Sequence, residues 1–197
     1  KRKGALAPEA QPAFVPDLHT HLLLGFEDSG PRVYFRDVRK FGKVAWAPPG
    51  VAHERLADLG PDALLATGAG LWAATRKRSA PIKSLLLDQT VLAGVGNIYA
   101  DEALFLAGVR VTRPSRRLTR AECDAIAEAL RQVLRRSIRT GGSSISDYVR
   151  PDGSDGGYQN ERRVYAREGQ DCYVCRTAIR RLVLGQRSSH FCPQCQR

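Results

Sequence analysis

Cys172, Cys175, Cys192 and Cys195 form two Cys-x2-Cys pairs separated by 16 residues near the end of the 197-residue chain. Two residues between ligands let a tight turn aim both thiolates at one point, and two such turns on a hairpin complete a closed tetrahedron of sulfur. The spacing therefore predicts one structural zinc ion, held to fold the hairpin and offering no open position for water or substrate. The alternative is a pair of disulfides, which needs an oxidising compartment. A fifth cysteine, Cys123, stands alone on a helical stretch and is expected to be a small packed side chain.

Between the two pairs runs RTAIRRLVLGQRSSHF, a segment crowded with arginine. A hairpin turn near Gly185 to Ser189 would present Arg187 at its tip, where a fixed guanidinium makes a good phosphate clamp. The other reading is that these arginines only solvate a strand face. Charge favours the first, since 31 Lys and Arg against 20 Asp and Glu leave a formal net charge of +11. Such a balance points to a polyanionic partner, nucleic acid before membrane. The chain shows no long apolar run and no secretion signal, so an intracellular protein is expected, with no membrane partner.

The elements that must position these groups change character along the chain. Residues 1–18, rich in Ala and Pro, read as a loop. HTHLLLGF, RVYFRDV and KFGKVAWAP read as three strands, the first two joined by an EDSG turn, and three strands are few for a stable sheet. From about Pro61 the pattern is helical: PDALLAT, LWAATRKR and IKSLLLDQ, the break VLAGVG, then NIYADEALFLAGV. A long amphipathic helix follows, opened by a capping box of Thr119 with Glu122 and ended by Gly141 and Gly142. Ser143 to Gly157 is polar and glycine-rich and reads as a loop, and RRVYARE reads as strand-like.

Three of these stretches together resemble formamidopyrimidine-DNA glycosylase: QRSSHFCPQCQR, IKSLLLDQTVLAGVGNIYADEALFLAGV, and GGSSISDYVRPDG followed by RRVYAREGQDC. The resemblance covers residues 81–197, with RDVRKFG as a weaker extension. It implies an α+β fold: a remnant of a β-sandwich over residues 1–52, a helical helix-two-turns-helix domain with a lesion-capping loop over 53–160, and a zinc-finger hairpin over 161–197. It assigns Asn97 and Arg187 to the phosphates around a damaged nucleotide, and Lys83 to the same DNA-binding pocket. Exposed N–H groups where the second helix begins suit that role, and Asn97 can equally be a simple N-cap.

The family acts on oxidised purines such as 8-oxoguanine and formamidopyrimidine, rotated out of double-stranded DNA. Extrusion leaves a hole and an orphaned partner base. The resemblance gives Arg39 and Phe41 the role of wedge in that hole, with Val38 standing where the family usually carries proline. A third wedge residue in the family is commonly methionine, of which this sequence has 0. Ser143, Ser144, Tyr148 and Tyr158 match the loop that closes over the extruded base, and the two tyrosines either pack on that base or anchor the loop.

In the family, the amine of an N-terminal proline attacks the sugar and a neighbouring glutamate moves protons. This sequence begins Lys1-Arg2-Lys3, and in its Pro8-Glu9 the proline nitrogen is an amide. The expectation is that these residues carry no catalytic group and that the catalytic lobe is cut away, disordered or lost. Three functions stay open: the DNA-binding part of a base-excision-repair glycosylase and AP lyase, a binding module for damaged DNA that does not cut, or a zinc-ribbon protein of transcription or replication. The first implies oxidised or abasic duplex DNA as partner, a monomer, and a bacterial cytoplasmic, nucleoid-associated location.

Overall fold

A computed structural model describes residues 15–27, 32–51, 53–76, 78–144 and 155–197. Pro8, Glu9, Tyr148 and most of the EDSG turn lie outside the described residues.

Strands β1 (Thr20–Leu24) and β2 (Val33–Arg36) pair antiparallel, with Leu23 opposite Tyr34 and Leu24 opposite Val33. The third expected strand, residues 40–48, forms no ladder. Among the described residues β2 pairs with β1 alone, and Lys40 at φ 55° turns the backbone away from the extended region just after β2. Without a neighbour to take its backbone groups, this stretch leaves Val44 and Trp46 exposed.

The helical unit contains α1 (Glu54–Ala57), α2 (Gly68–Arg76), α3 (Ile82–Leu86), α4 (Asn97–Leu106) and α5 (Arg120–Arg139). Where a helix was expected over PDALLAT, only one 3-10 turn forms, Ala63–Leu65, started by the Asp62 carboxylate accepting from the Leu64 N–H. The capping box at the head of α5 is present: Glu122 N–H donates to Thr119 Oγ1 at 3.2 Å, and Thr119 N–H donates to the Glu122 carboxylate at 2.7 Å. One apolar core joins these helices through Leu71, Ile82, Leu86, Leu104, Ile126 and Leu130. The lone Cys123 is fully buried within it, as its helical position implied.

Strands β3 (Arg180–Leu184) and β4 (Arg187–Phe191) form the terminal hairpin. Its two-residue turn places both Gly185 (φ 51°) and Gln186 (φ 63°) in the left-handed region, the geometry that matches the twist of antiparallel strands. Phe191 enters the helical core, while Phe105 of α4 reaches the other way into a small cluster with Val164, Cys172, Ile179 and Cys192. The fold is therefore α+β, with helices between two small antiparallel hairpins.

RRVYARE is turns rather than strand. The reason is Glu102: its carboxylate accepts from the backbone N–H of Arg163, Val164 and Tyr165 at 2.8 to 2.9 Å, taking the donors that a ladder would need. No helix among the described residues is long and apolar enough to cross a membrane.

Candidate nucleic-acid interface

The four paired cysteines meet. Their sulfur atoms all lie within 4.8 Å of one another, with Cys172 to Cys195 at 3.9 Å and Cys175 to Cys192 at 3.4 Å. Zinc–thiolate bonds of about 2.3 Å in a tetrahedron require sulfur atoms about 3.8 Å apart, so the donor set fits one zinc ion. Backbone N–H groups of Val174 and Cys195 point at the sulfurs of Cys172 and Cys192, as expected where thiolates need compensation.

The second knuckle is also fixed without metal. Gln196, fully buried, accepts from Cys192 N–H and donates to the Val109 carbonyl, both at 2.9 Å. Arg110 donates to the carbonyls of Pro193 and Gln196 at 2.7 to 3.2 Å. Neither residue was singled out by spacing or type; an arginine in a basic chain carries no sign of which carbonyls it will meet.

At the other end of the hairpin, Arg187 is the first residue of β4, exposed and beside the turn. The next carbonyl, that of Ser188, accepts from Lys83 Nζ at 2.8 Å and from Asn97 Nδ2 at 3.1 Å. Asn97 does not cap its helix: Gly96 is the N-cap, with no side-chain cap bond, and Asn97 opens the first turn. The break before it is shaped by Gly94 at φ 93°, whose N–H donates to Gln89 Oε1 at 2.9 Å. Gln89 in turn donates to the Leu87 and Val95 carbonyls, stapling the turn from within.

Lys83 is placed differently from a surface phosphate ligand, since it has no exposure and its amine lies 2.6 Å from Asp101 Oδ1. Burial pushes its pKa below the ordinary lysine value; the charge and hydrogen bond of Asp101 pull it back, and the positive charge of Arg187 adds to the downward push. Asp101 Oδ2 also accepts from the His190 N–H at 2.8 Å. The pKa of Glu102 is raised by the same cause, burial, against its three backbone donors.

Arg39 and Phe41 share one tight loop after β2. Asp37 accepts from the N–H of Arg39 at 3.0 Å and of Gly42 at 2.5 Å. Phe41 is 75% exposed, with the Arg39 guanidinium 4.9 Å from its ring centre. The loop is thus held by a carboxylate, which suffices with Val38 in place of proline.

Ser144 and Gly156, on either side of the expected capping loop, are joined: the Ser144 Oγ accepts from the Gly156 N–H at 2.7 Å, and the Ser144 N–H donates to Gln159 Oε1 at 3.1 Å. Ser143 precedes this closure. Tyr158 is buried, edge-on to Tyr99 with ring centres 5.6 Å apart.

Known proteins share this arrangement. The family description "Formamidopyrimidine-DNA glycosylase H2TH domain" matches residues 59–149, and "Zinc finger found in FPG and IleRS" matches residues 169–197. The formamidopyrimidine-DNA glycosylase of Thioalkalivibrio sulfidiphilus is 47% identical over 182 residues, covering 91% of this chain and 67% of that protein. The chain belongs to the formamidopyrimidine-DNA glycosylase family.

Another member, from Cupriavidus pinatubonensis, is 43% identical over 96% of this chain and 69% of its own length. Among solved structures, the MutM (Fpg) protein of Thermus thermophilus superposes with a TM-score of 0.82 at 41% identity, covering 92% of this chain and 70% of that one. A Lactococcus lactis FPG mutant in complex with Fapy-dG containing DNA gives 0.79 at 31% identity, covering 99% and 71%. The chain thus spans about two thirds of the length of these relatives. The family's zinc finger and the sulfur geometry together identify the Cys172, Cys175, Cys192 and Cys195 cluster as a structural zinc site.

Proposed function

We propose that these residues are the DNA-gripping portion of a base-excision-repair glycosylase and AP lyase that acts on oxidised purines. The observation that supports this most is the meeting at Ser188: donors from α3 and α4 hold the backbone next to Arg187, so the strand end that carries this exposed arginine is fixed beside the N-terminus of α4. The first N–H groups of a helix and a neighbouring arginine are complementary to one phosphate. Asn97 and Arg187 then grip the backbone at the damaged nucleotide, with Lys83 acting from beneath. Arg39 and Phe41 enter the base stack, and the loop whose neck is Ser143, Ser144 and Tyr158 closes over the extruded base. The chain acts as a monomer in the bacterial cytoplasm, at the nucleoid, and divides as 1–52, 53–160 and 161–197.

The test is binding to matched duplexes that are undamaged, contain 8-oxoguanine, or contain a tetrahydrofuran abasic analogue. Tighter, salt-sensitive binding to the last two is expected, and equal affinity for all three would reject lesion recognition. Borohydride trapping on an abasic duplex separates gripping from cutting. We expect no covalent adduct with these 197 residues, and an adduct would overturn that division of labour.

A further inference from the structure

We infer that Asp101 is a positioning residue, which sets the register of the zinc-finger hairpin on the helical unit so that Arg187 and the α4 N-terminus address the same phosphate. The inference deepens the DNA-gripping function proposed above and rests on it.

Asp101 lies four residues after Asn97, on the same face of α4. Its side chain has no exposure, and neither has that of Lys83, 2.6 Å away. A fully buried ion pair is costly to desolvate and is weak evidence of stability alone, so its use is better sought in what it orients. Each oxygen of Asp101 reaches a different part of the molecule. Oδ1 faces the Lys83 amine of α3, and Oδ2 accepts the His190 N–H of β4 at 2.8 Å, with the His190 ring at 3.4 Å. The Lys83 amine then continues to the Ser188 carbonyl at 2.8 Å, where Asn97 also donates. Residues 188 and 190 are thereby pinned by α3 and α4 on one side of β4, and Arg187 is the next residue outward. A slide of the hairpin by one residue would break these bonds together. The zinc site lies at the opposite end of the same hairpin, so β4 is held at both ends and the backbone that carries Arg187 has little freedom left to lose on binding.

The experiment uses the zinc-loaded chain and a tetrahydrofuran-containing duplex, with affinity measured across a salt series. The test variant is Asp101→Leu with Lys83→Met, which removes both charges and leaves no unpaired ion. It should keep one zinc per chain and the parent circular dichroism, bind roughly tenfold more weakly, and lose about one unit of the slope of log affinity against log salt. Adding Arg187→Ala to it should cost under about twofold, against roughly tenfold in the parent, because the arginine is already misplaced. A merely structural role would leave that coupling and the slope unmoved. Asp101→Asn alone keeps an acceptor for the His190 N–H but no charge for Lys83. It should fall between parent and double variant in both readings, and it carries the test by itself should the double variant not fold. Parent affinity and slope in the variants, with Arg187→Ala still costing its full factor, would sink the inference while leaving DNA binding intact. A parent chain with no salt-dependent binding would remove both.

Discussion

Lys83 and Asn97, on separate helices, donate to a single carbonyl oxygen, that of Ser188, at 2.8 and 3.1 Å. The shared acceptor ties the two helices of the helix-two-turns-helix element to the strand that starts with Arg187. In the proposed grip Arg187 would meet a phosphate, a contact that carries no sequence information. Arg187→Ala should therefore weaken binding to every duplex alike, and lower the salt slope by about one, which titrations on several unrelated sequences would check. A loss confined to one sequence would contradict a backbone contact.

The metal should matter unequally for the two knuckles. Structural zinc in small units supplies about 10 kcal/mol or more of folding free energy, and the hydrogen bonds around the Cys172–Cys175 knuckle run to its own neighbours, from the Cys172 N–H to the Thr177 carbonyl and from Arg167 to the Asp171 carbonyl. The Cys192–Cys195 knuckle is additionally held by Gln196 and Arg110. On chelation, amide exchange should accelerate first around residues 172–184 and more slowly around 192–197, and DNA affinity should fall. Elemental analysis of the untreated chain should give one zinc.

The zinc site could be foreseen because its ligands are close in sequence and of a rare type, and the capping box of α5 because both partners lie within one turn. Arg187 beside the turn followed from Gly185 and the register of two short strands. What could not be foreseen is long-range and made by common residues. Glu102 captures three backbone donors some sixty residues away, and that turned an expected strand at residues 162–168 into turns. The family resemblance put Lys83 in the phosphate pocket but gave no sign that it would be buried, and Asp101, its buried partner, carried no signal at all. The expected strand over residues 40–48 failed for a related reason: alternating side chains give a stretch its tendency, but a ladder needs a neighbour.

Arg110 is the test of how much of the finger is held by the protein itself. Its guanidinium donates to two carbonyls of the second knuckle and lies 5.4 Å from the Phe191 ring centre. Replacing it by alanine leaves partly buried carbonyls unmatched and should cost about 2 kcal/mol, read from urea denaturation of the zinc-loaded chain. Lys at this position should recover only part, since one amine cannot copy the planar fork.

The loop that carries Arg39 and Phe41, the proposed wedge, depends on Asp37, whose carboxyl is held below the usual aspartate range first by the Gly42 N–H, with the N–H groups of Arg39, Lys40 and Phe41 adding to it. A folded pKa lower than the unfolded value of about 3.9 means that this support is complete above that pH and is lost as pH falls through the lower folded value. The loop should accordingly hold its shape at neutral and mildly acid pH, and the Gly42 amide resonance should move only in stronger acid, with Asp37→Ala showing the acid-form position already at neutral pH. Because an aromatic ring stacking on a base is worth roughly 1–3 kcal/mol, Phe41→Ala should lower the preference for the abasic duplex over the intact one by about tenfold. Asp37→Ala should lose part of that preference with Phe41 still present, since the ring remains but its approach is no longer fixed. If Phe41→Ala discriminated as well as the parent chain, the exposed ring would have no place in the base stack.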